Sequence, residues 1–298
     1  MTTASRLDRP CFVDLSARVK LRASGADAFR FLNGQITNNL GKATQSAAVQ
    51  ASILNAKGKL SAHVFISKES NADFLLDADP ELREDLPARL ERYIIADDVQ
   101  IEDVTEKFSI FHVIDETQPS IPSSIRTVAA NHFGFAGWDI WVASENAPQI
   151  CQELTSNFPF CDDACAEVIR IEQGIPRWGR ELTGEIIPVE ANLEQSSIDY
   201  VKGCYIGQEV VSRMKMSGQR NKSLCGLVSL SGATLQSGTH LTSEADPGKD
   251  VGWITSATKS ARLGKEIALG YVKRGYNTAG TNLQAGSVPI EVVDLPFI

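Results

Sequence analysis

Lys202-Gly203-Cys204-Tyr205-Ile206-Gly207-Gln208-Glu209 sets a thiol between two glycines, with a lysine two residues behind it. From Gly207 onward, Gln208-Glu209-Val210-Val211-Ser212-Arg213-Met214 contains good helix formers and reads as a helix start. The unpaired N–H groups and the positive dipole end of such a helix would lie toward Cys204. An ammonium and a helix N-terminus both favour thiolate, the reactive form of cysteine. The competing reading is a buried small hydrophobe, the common fate of a free cysteine.

A second group lies upstream. Arg170-Ile171-Glu172-Gln173-Gly174 would end a helix with Glu172 in its last turn, where the dipole disfavours a negative charge by about 0.3–1 kcal/mol. Such an acid either binds a ligand cation or donor, or is exposed and neutralised by Arg170 or Arg177. The other candidate chemistry is sparse. Six cysteines (11, 151, 161, 165, 204 and 225) show one close pair, Cys161-x3-Cys165, with no flanking histidine at ligand spacing. A zinc site is not expected, and reduced thiols in a cytosolic protein are. The four histidines, at 63, 112, 132 and 240, are scattered, and no metal cluster can be assembled from them by spacing.

The elements that must hold these residues divide the chain in two. Ser24-Gly25-Ala26-Asp27 has the form of a capping box ahead of Ala28, Phe31 and Leu32, and Asn33-Gly34 should end that helix. Residues 49–54, 60–66, 74–76, 108–113 and 135–142 read as strands. Asp79-Pro80 starts a helix with Leu82, Leu86, Leu90 and Ile94 at four-residue steps, a core stripe. Helices are also predicted over 147–157 and 163–173. After the polar stretch 217–222, short strands at 224–230, 251–255, 267–272 and 288–293 recur without helices, as in a small barrel or sandwich. The expected division is 1–220, two α+β modules, and 221–298, a β-barrel.

The 298 residues carry a net charge of −8, which argues against a protein that coats nucleic acid. Hydrophobic content of 43% with 22% charged residues is ordinary for a soluble domain. No apolar run reaches membrane-spanning length, and Met1 to Arg6, with Asp8 and Asp14 following, lacks the apolar core of an export signal. A cytoplasmic protein without membrane contact is the expectation.

Several blocks carry a family resemblance. Gly25 to Thr37, Arg170-x-Glu172-x-Gly174 and Pro188-x-Glu190-Ala191 resemble the tetrahydrofolate-binding fold of the glycine-cleavage T-protein. Gly252 to Ser256 and Ala268 to Val272 resemble that family's C-terminal barrel, and Lys-Gly-Cys-Tyr-x-Gly-Gln-Glu resembles the mark of its YgfZ-type branch. The resemblance implies folate-binding modules around a central channel and a role in iron–sulfur protein maturation with folate and cluster-assembly or client proteins as partners. It also implies that Glu172 binds the pterin, whose paired N–H donors suit a carboxylate. Lys202, Tyr205 and Arg213 are candidate folate contacts, with Lys215, Arg220 and Lys222 as further cations for the folate tail. No acid lies from Val210 through Lys222.

One departure limits the analogy. The T-protein's aspartate pair, laid on the turn Asn55-Ala56-Lys57-Gly58, falls at Ala62 and His63, and no carboxylate lies between Lys57 and Lys68. Alanine cannot orient an amine or stabilise developing charge. A tetrahydrofolate-binding accessory protein with Cys204 as its functional thiol is therefore expected ahead of a one-carbon transferase. An RNA-modification partner ranks third.

Overall fold

The computed structural model describes residues 10–243, 246 and 248–298. The stretch read above for an export signal, Met1 to Arg6 with Asp8, lies outside them.

Strands β1 (Cys11–Asp14) and β2 (Val19–Ser24) precede helix α1 (Ala28–Gln35). Then come β3 (Val49–Leu54), β4 (Leu60–Lys68), β5 (Phe74–Ala78), α2 (Asp85–Glu91) and β6 (Gln100–Asp103). Strands β7 (Phe108–Ile114), β8 (Arg126–Ala130) and β9 (Gly137–Ala143) lead into helices α3 (Ala147–Asn157) and α4 (Asp163–Glu172). The short α5 (Glu194–Ser197) and α6 (Gln208–Ser217) connect to the barrel strands. These are β10 (Lys222–Ser229), β11 (His240–Ser243), β12 (Asp250–Ser260), β13 (Lys265–Lys273), β14 (Asn282–Ala285) and β15 (Val288–Val293).

Two antiparallel sheets form the first part, ordered β3-β4-β5-β2-β6 and β1-β7-β9-β8. The larger sheet packs Ala62, Val64, Ile66 and Leu76 against Phe31 and Leu32 of α1 and Leu86 and Leu90 of α2. Its opposite face meets the smaller sheet where Leu75 packs with Ile110, Val128 and Trp141. That double cover explains why nearly all of β4 is buried rather than every second residue. The remaining strands close into a barrel ordered β10-β13-β12-β11-β14-β15, with β10 pairing β15. Closure leaves no unpaired edge. The architecture is the expected α+β core with a C-terminal barrel.

Three local expectations change. The stripe from Leu82 to Ile94 is not one helix: a 3-10 turn at Pro80–Leu82 precedes α2, which begins at Asp85. Pro87 is the cause, since it cannot donate to the carbonyl of Arg83 and its ring would clash there. Helix α1 runs through Gly34 to Gln35 and has no side-chain cap at Asp27. Its C-terminal carbonyls instead meet the Lys202 ammonium, which bonds to the carbonyls of Asn33, Ile36 and Asn38. The barrel also holds β11 and β14, four-residue strands too short to show an alternating pattern.

Candidate functional site

Two adjoining cavities lie in the structure, one within the α+β part and one bordered also by the barrel. The narrower, about 360 Å³, lies among Arg18, His63, Phe65, His132, Phe133, α4 and Ile175–Arg177. The wider, about 970 Å³, lies among Asn192–Ser196, Tyr200, Lys215, Arg220, Asn277 and Val293–Pro296. Both include Gln50, His63, Ile175 and Pro176, so they form one channel with His63 at the junction. Each lies within the roughly 300–1,000 Å³ of small-molecule sites.

The floor of the narrow end is a buried charge network. Arg18 reaches Asp77 at 2.5 Å and Asp79 at 2.6 Å. Burial opposes its charge, but the two carboxylates outweigh burial and raise its pKa. Asp77 is itself pushed up by burial, against the pull of Arg18. The second oxygen of Asp79 accepts from the Trp178 N–H at 2.9 Å, so this acid joins the floor to the 175–182 loop.

Beside it, Asp139 bridges two imidazoles: His112 Nδ1 at 2.7 Å and His132 Nε2 at 3.0 Å. Burial alone would raise the Asp139 pKa; the charge of His132 and the hydrogen bonds of both histidines outweigh it and hold the acid ionised. Burial lowers His112, so its neutral ring donates from Nδ1 and turns a bare Nε2 lone pair toward Gly137. A Cβ on Gly137 would lie 2.5 Å from that ring. The scattered histidines therefore do converge with an acid, a correction to the reading from spacing. This is the His/Asp group of metal-ligand type among the described residues. Each Asp139 oxygen already has an imidazole partner.

His63 is the residue of the T-protein comparison that matters most. It pairs with Ser52 across β3–β4, lies 3.2 Å from Ser197 Oγ, and is pushed by burial to a pKa of about 4. At neutral pH it is an uncharged hydrogen-bonding group. Ala62 beside it is fully buried. The channel junction thus carries no carboxylate from this strand.

Helix α4 walls the narrow cavity through Asp163, Ala166, Glu167 and Arg170. Arg170 is gripped by Glu167 (2.6 Å), Glu181 (3.1 Å) and Ser256 of β12 (2.7 Å). Glu172 is placed elsewhere. It is buried, accepts from Ser260 Oγ of β12 at 2.5 Å, lies 3.8 Å from Arg262, and lines neither cavity. Its carboxylate fastens α4 to the barrel. The α4 residues that meet the narrow cavity, Asp163, Ala166, Glu167 and Arg170, lie on the other side of the helix from Glu172.

The octapeptide is a strap that joins the end of α1 to the Asn55–Gly58 turn. Lys202 is buried and all its donors are taken by the three carbonyls at the end of α1, leaving none for a thiol or a folate carboxylate. Burial lowers its pKa to about 8. Tyr205 packs into the cluster with Ile198 and Val211, its hydroxyl buried and unpartnered. Arg213 is exposed and pairs with Glu209 at 2.5 Å. Gly207 caps α6 with φ 84°, and a Cβ there would lie 2.7 Å from the Asn55 carbonyl. Gly58 in turn abuts Val210, where a Cβ would lie 2.7 Å away. The glycines thus allow the strap to lie on the Asn55–Gly58 turn. Cys204 is exposed.

Of the expected tail cations, Lys215 and Arg220 line the wide cavity, whereas Lys202 and Arg213 do not. Lys215 stands 3.4 Å above the Tyr200 ring, and Arg220 meets Glu194 at 2.7 Å. With Lys222 lying 3.5 Å from Glu190, the basic stretch is largely paired with acids or rings rather than open to nucleic acid.

The glycine cleavage T-protein C-terminal barrel domain matches residues 222–298. The aminomethyltransferase T of the glycine cleavage system from Bartonella henselae superposes with a TM-score of 0.86 at 16% identity, covering 97% of this chain and 86% of that one. The chain has a T-protein fold. It is 26% identical over 257 residues to the mitochondrial iron-sulfur cluster assembly factor IBA57 homolog of Dictyostelium discoideum, covering 74% of this chain and 63% of that protein. It is 24% identical over 317 residues to an aminomethyltransferase of Saccharopolyspora erythraea, covering 95% and 85%. The chain is thus similar in sequence both to a cluster-assembly factor homolog and to an aminomethyltransferase. Among the described residues no helix is long and apolar enough to cross a membrane.

Proposed function

We propose that this protein binds tetrahydrofolate or a one-carbon derivative in the channel and serves assembly or repair of iron–sulfur enzymes, as a YgfZ-type member of the T-protein-like group. The donor set suits such a ligand. Phe65, Phe133 and Pro176 offer flat apolar faces in the narrow cavity, Glu167 offers acceptors for a pterin edge, and Lys215 and Arg220 offer cations for a carboxylate tail in the wide one. The observation that carries the reading is the channel junction, where β4 presents a neutral His63 in place of the T-protein's aspartate pair. A site without that pair retains binding and loses the group that would handle an amine in transfer. The exposed Cys204 is then the functional thiol that meets a partner, a persulfide or a cluster in transit. One thiolate cannot hold a cluster alone, since clusters take about four thiolate ligands.

Calorimetric titration with tetrahydrofolate tests the reading first, and saturable binding is expected. In cells lacking the protein, Cys204→Ala is expected to leave folding and folate binding intact and to abolish support of cluster enzymes. Absence of folate binding removes the ligand, and a fully active Cys204→Ala removes the thiol. Formation of methylenetetrahydrofolate from an aminomethyl donor at enzyme-like rates would replace the proposal with a transferase.

A further inference from the structure

Two imidazoles and a carboxylate meet at the smaller sheet. His112 of β7 stands opposite Asp139 of β9 in the ladder, and His132 comes from the loop between β8 and β9. All three are buried, with side chains 0%, 1% and 5% exposed for His112, Asp139 and His132. One ligand atom from each lies within 4.8 Å of the other two. His112 Nδ1 is 2.7 Å from one Asp139 oxygen, and His132 Nε2 is 3.0 Å from the other. With metal–ligand bonds of about 2.1 Å, ligands at right angles stand about 3.0 Å apart and opposed ligands about 4.2 Å. The two nitrogen–oxygen separations fit the right-angle case, and the widest separation fits the opposed case after closing by at most about 0.6 Å.

Nearby lysine and arginine are committed elsewhere. Arg18 is engaged with Asp77 and Asp79, and the Lys20 ammonium is held by the carbonyls of Ser16, Arg18 and Thr105. Among the described residues, the ion pairs of Asp139 are both with imidazoles. A buried carboxylate needs a proton or a cation beside it. Imidazole together with carboxylate is also a donor set of divalent transition ions. We propose that His112, His132 and Asp139 bind one divalent transition-metal ion of the Zn²⁺, Co²⁺ or Fe²⁺ class. Each ring ligates as neutral imidazole, with its proton moved to Nε2 in His112 and to Nδ1 in His132. Gly137 is part of the site, because a Cβ there would lie 2.5 Å from the His112 ring and push it off Asp139.

Of the three, His132 lines the narrow cavity, so the ion enters past its ring and sits behind that wall. Three protein ligands leave coordination positions for water or another oxygen donor. The site is independent of whether the channel's ligand is a folate.

The test dialyses the whole protein against a chelator and titrates it with Co²⁺. Visible absorption that saturates at one ion per chain, and that Zn²⁺ abolishes by displacement, is expected. X-ray absorption of the Zn²⁺-loaded wild type is expected to show nitrogen and oxygen neighbours with imidazole scattering and no sulfur. Loss of an outer-shell partner costs about 10–100-fold in metal affinity, so loss of a ligand in His132→Ala or Asp139→Asn should weaken Co²⁺ binding about 100-fold or more. His240→Ala, at an exposed histidine, should leave it unchanged. Circular dichroism checks that the variants fold, and the wild-type X-ray absorption decides the ligands if they do not. A wild type that takes up no ion at one per chain overturns the proposal. So do sulfur neighbours around the ion, or a folded His132→Ala that binds Co²⁺ as tightly as the wild type.

Discussion

Lys202 in the strap and Arg18 in the channel floor are both buried cations, but their surroundings differ in kind. Lys202 meets three carbonyl oxygens, while Arg18 meets two carboxylates. Carbonyl dipoles do not fully replace the water removed from an ammonium, and its pKa falls to about 8. Full charges outweigh burial and keep Arg18 ionised. The strap therefore uses a cation as a brace for a helix end, and the floor uses one to hold two acids together under a ligand cavity. Basic residues of these two kinds look alike in a sequence.

The contrast can be broken most strongly at the floor. Arg18→Leu leaves Asp77 and Asp79 without their partner, and a loss of about 3–5 kcal/mol in urea unfolding is expected. A loss below about 1 kcal/mol would show that the acids do not depend on it. Acid titration reads His63 next. The unfolded ring binds a proton near pH 6.5 and the folded ring only near 4, so the unfolded state takes up protons first and stability falls as pH drops through that window. The fall reaches about 3 kcal/mol at most, and His63→Gln should flatten it.

At the strap, Lys202→Met orphans the helix-end carbonyls and should cost about 1–3 kcal/mol, read by thermal or urea unfolding. An unchanged midpoint would mean that water replaces the ammonium freely. Glu172→Gln should cost about 1 kcal/mol through the Ser260 contact and leave the tetrahydrofolate Kd within about two-fold. A ten-fold weaker Kd would return Glu172 to the ligand. Cys204→Ala, at an exposed site, should change stability by less than about 0.5 kcal/mol, which a melting curve checks.

Much of the fold was legible because it follows from local pattern. The strands near 49–54, 60–66 and 108–113, helices α3 and α4, and the helix starting at Gly207 all carry their signals in neighbouring residues. Where reading failed locally, a covalent or tertiary cause is identifiable: Pro87 divides the 80–94 stripe, and Lys202, far along the chain, ends α1. The site was less legible. The Asp139 bridge joins strands β7 and β9 to the His132 loop, and Arg18 meets Asp77 across the β2–β5 ladder. Register decides such contacts, and no motif records it. The lysine beside Cys204 was expected at a ligand and instead binds the backbone carbonyls of Asn33, Ile36 and Asn38.

The interlock of Gly207 with Asn55 and of Gly58 with Val210 has a thermodynamic corollary. The turn that the strap rests on leads directly into β4, which carries His63 at the channel junction. A partner that displaces the strap on docking at Cys204 does work on that turn. Linkage then demands reciprocity: by whatever factor such docking changes ligand affinity in the channel, ligand binding changes the affinity for the partner by the same factor.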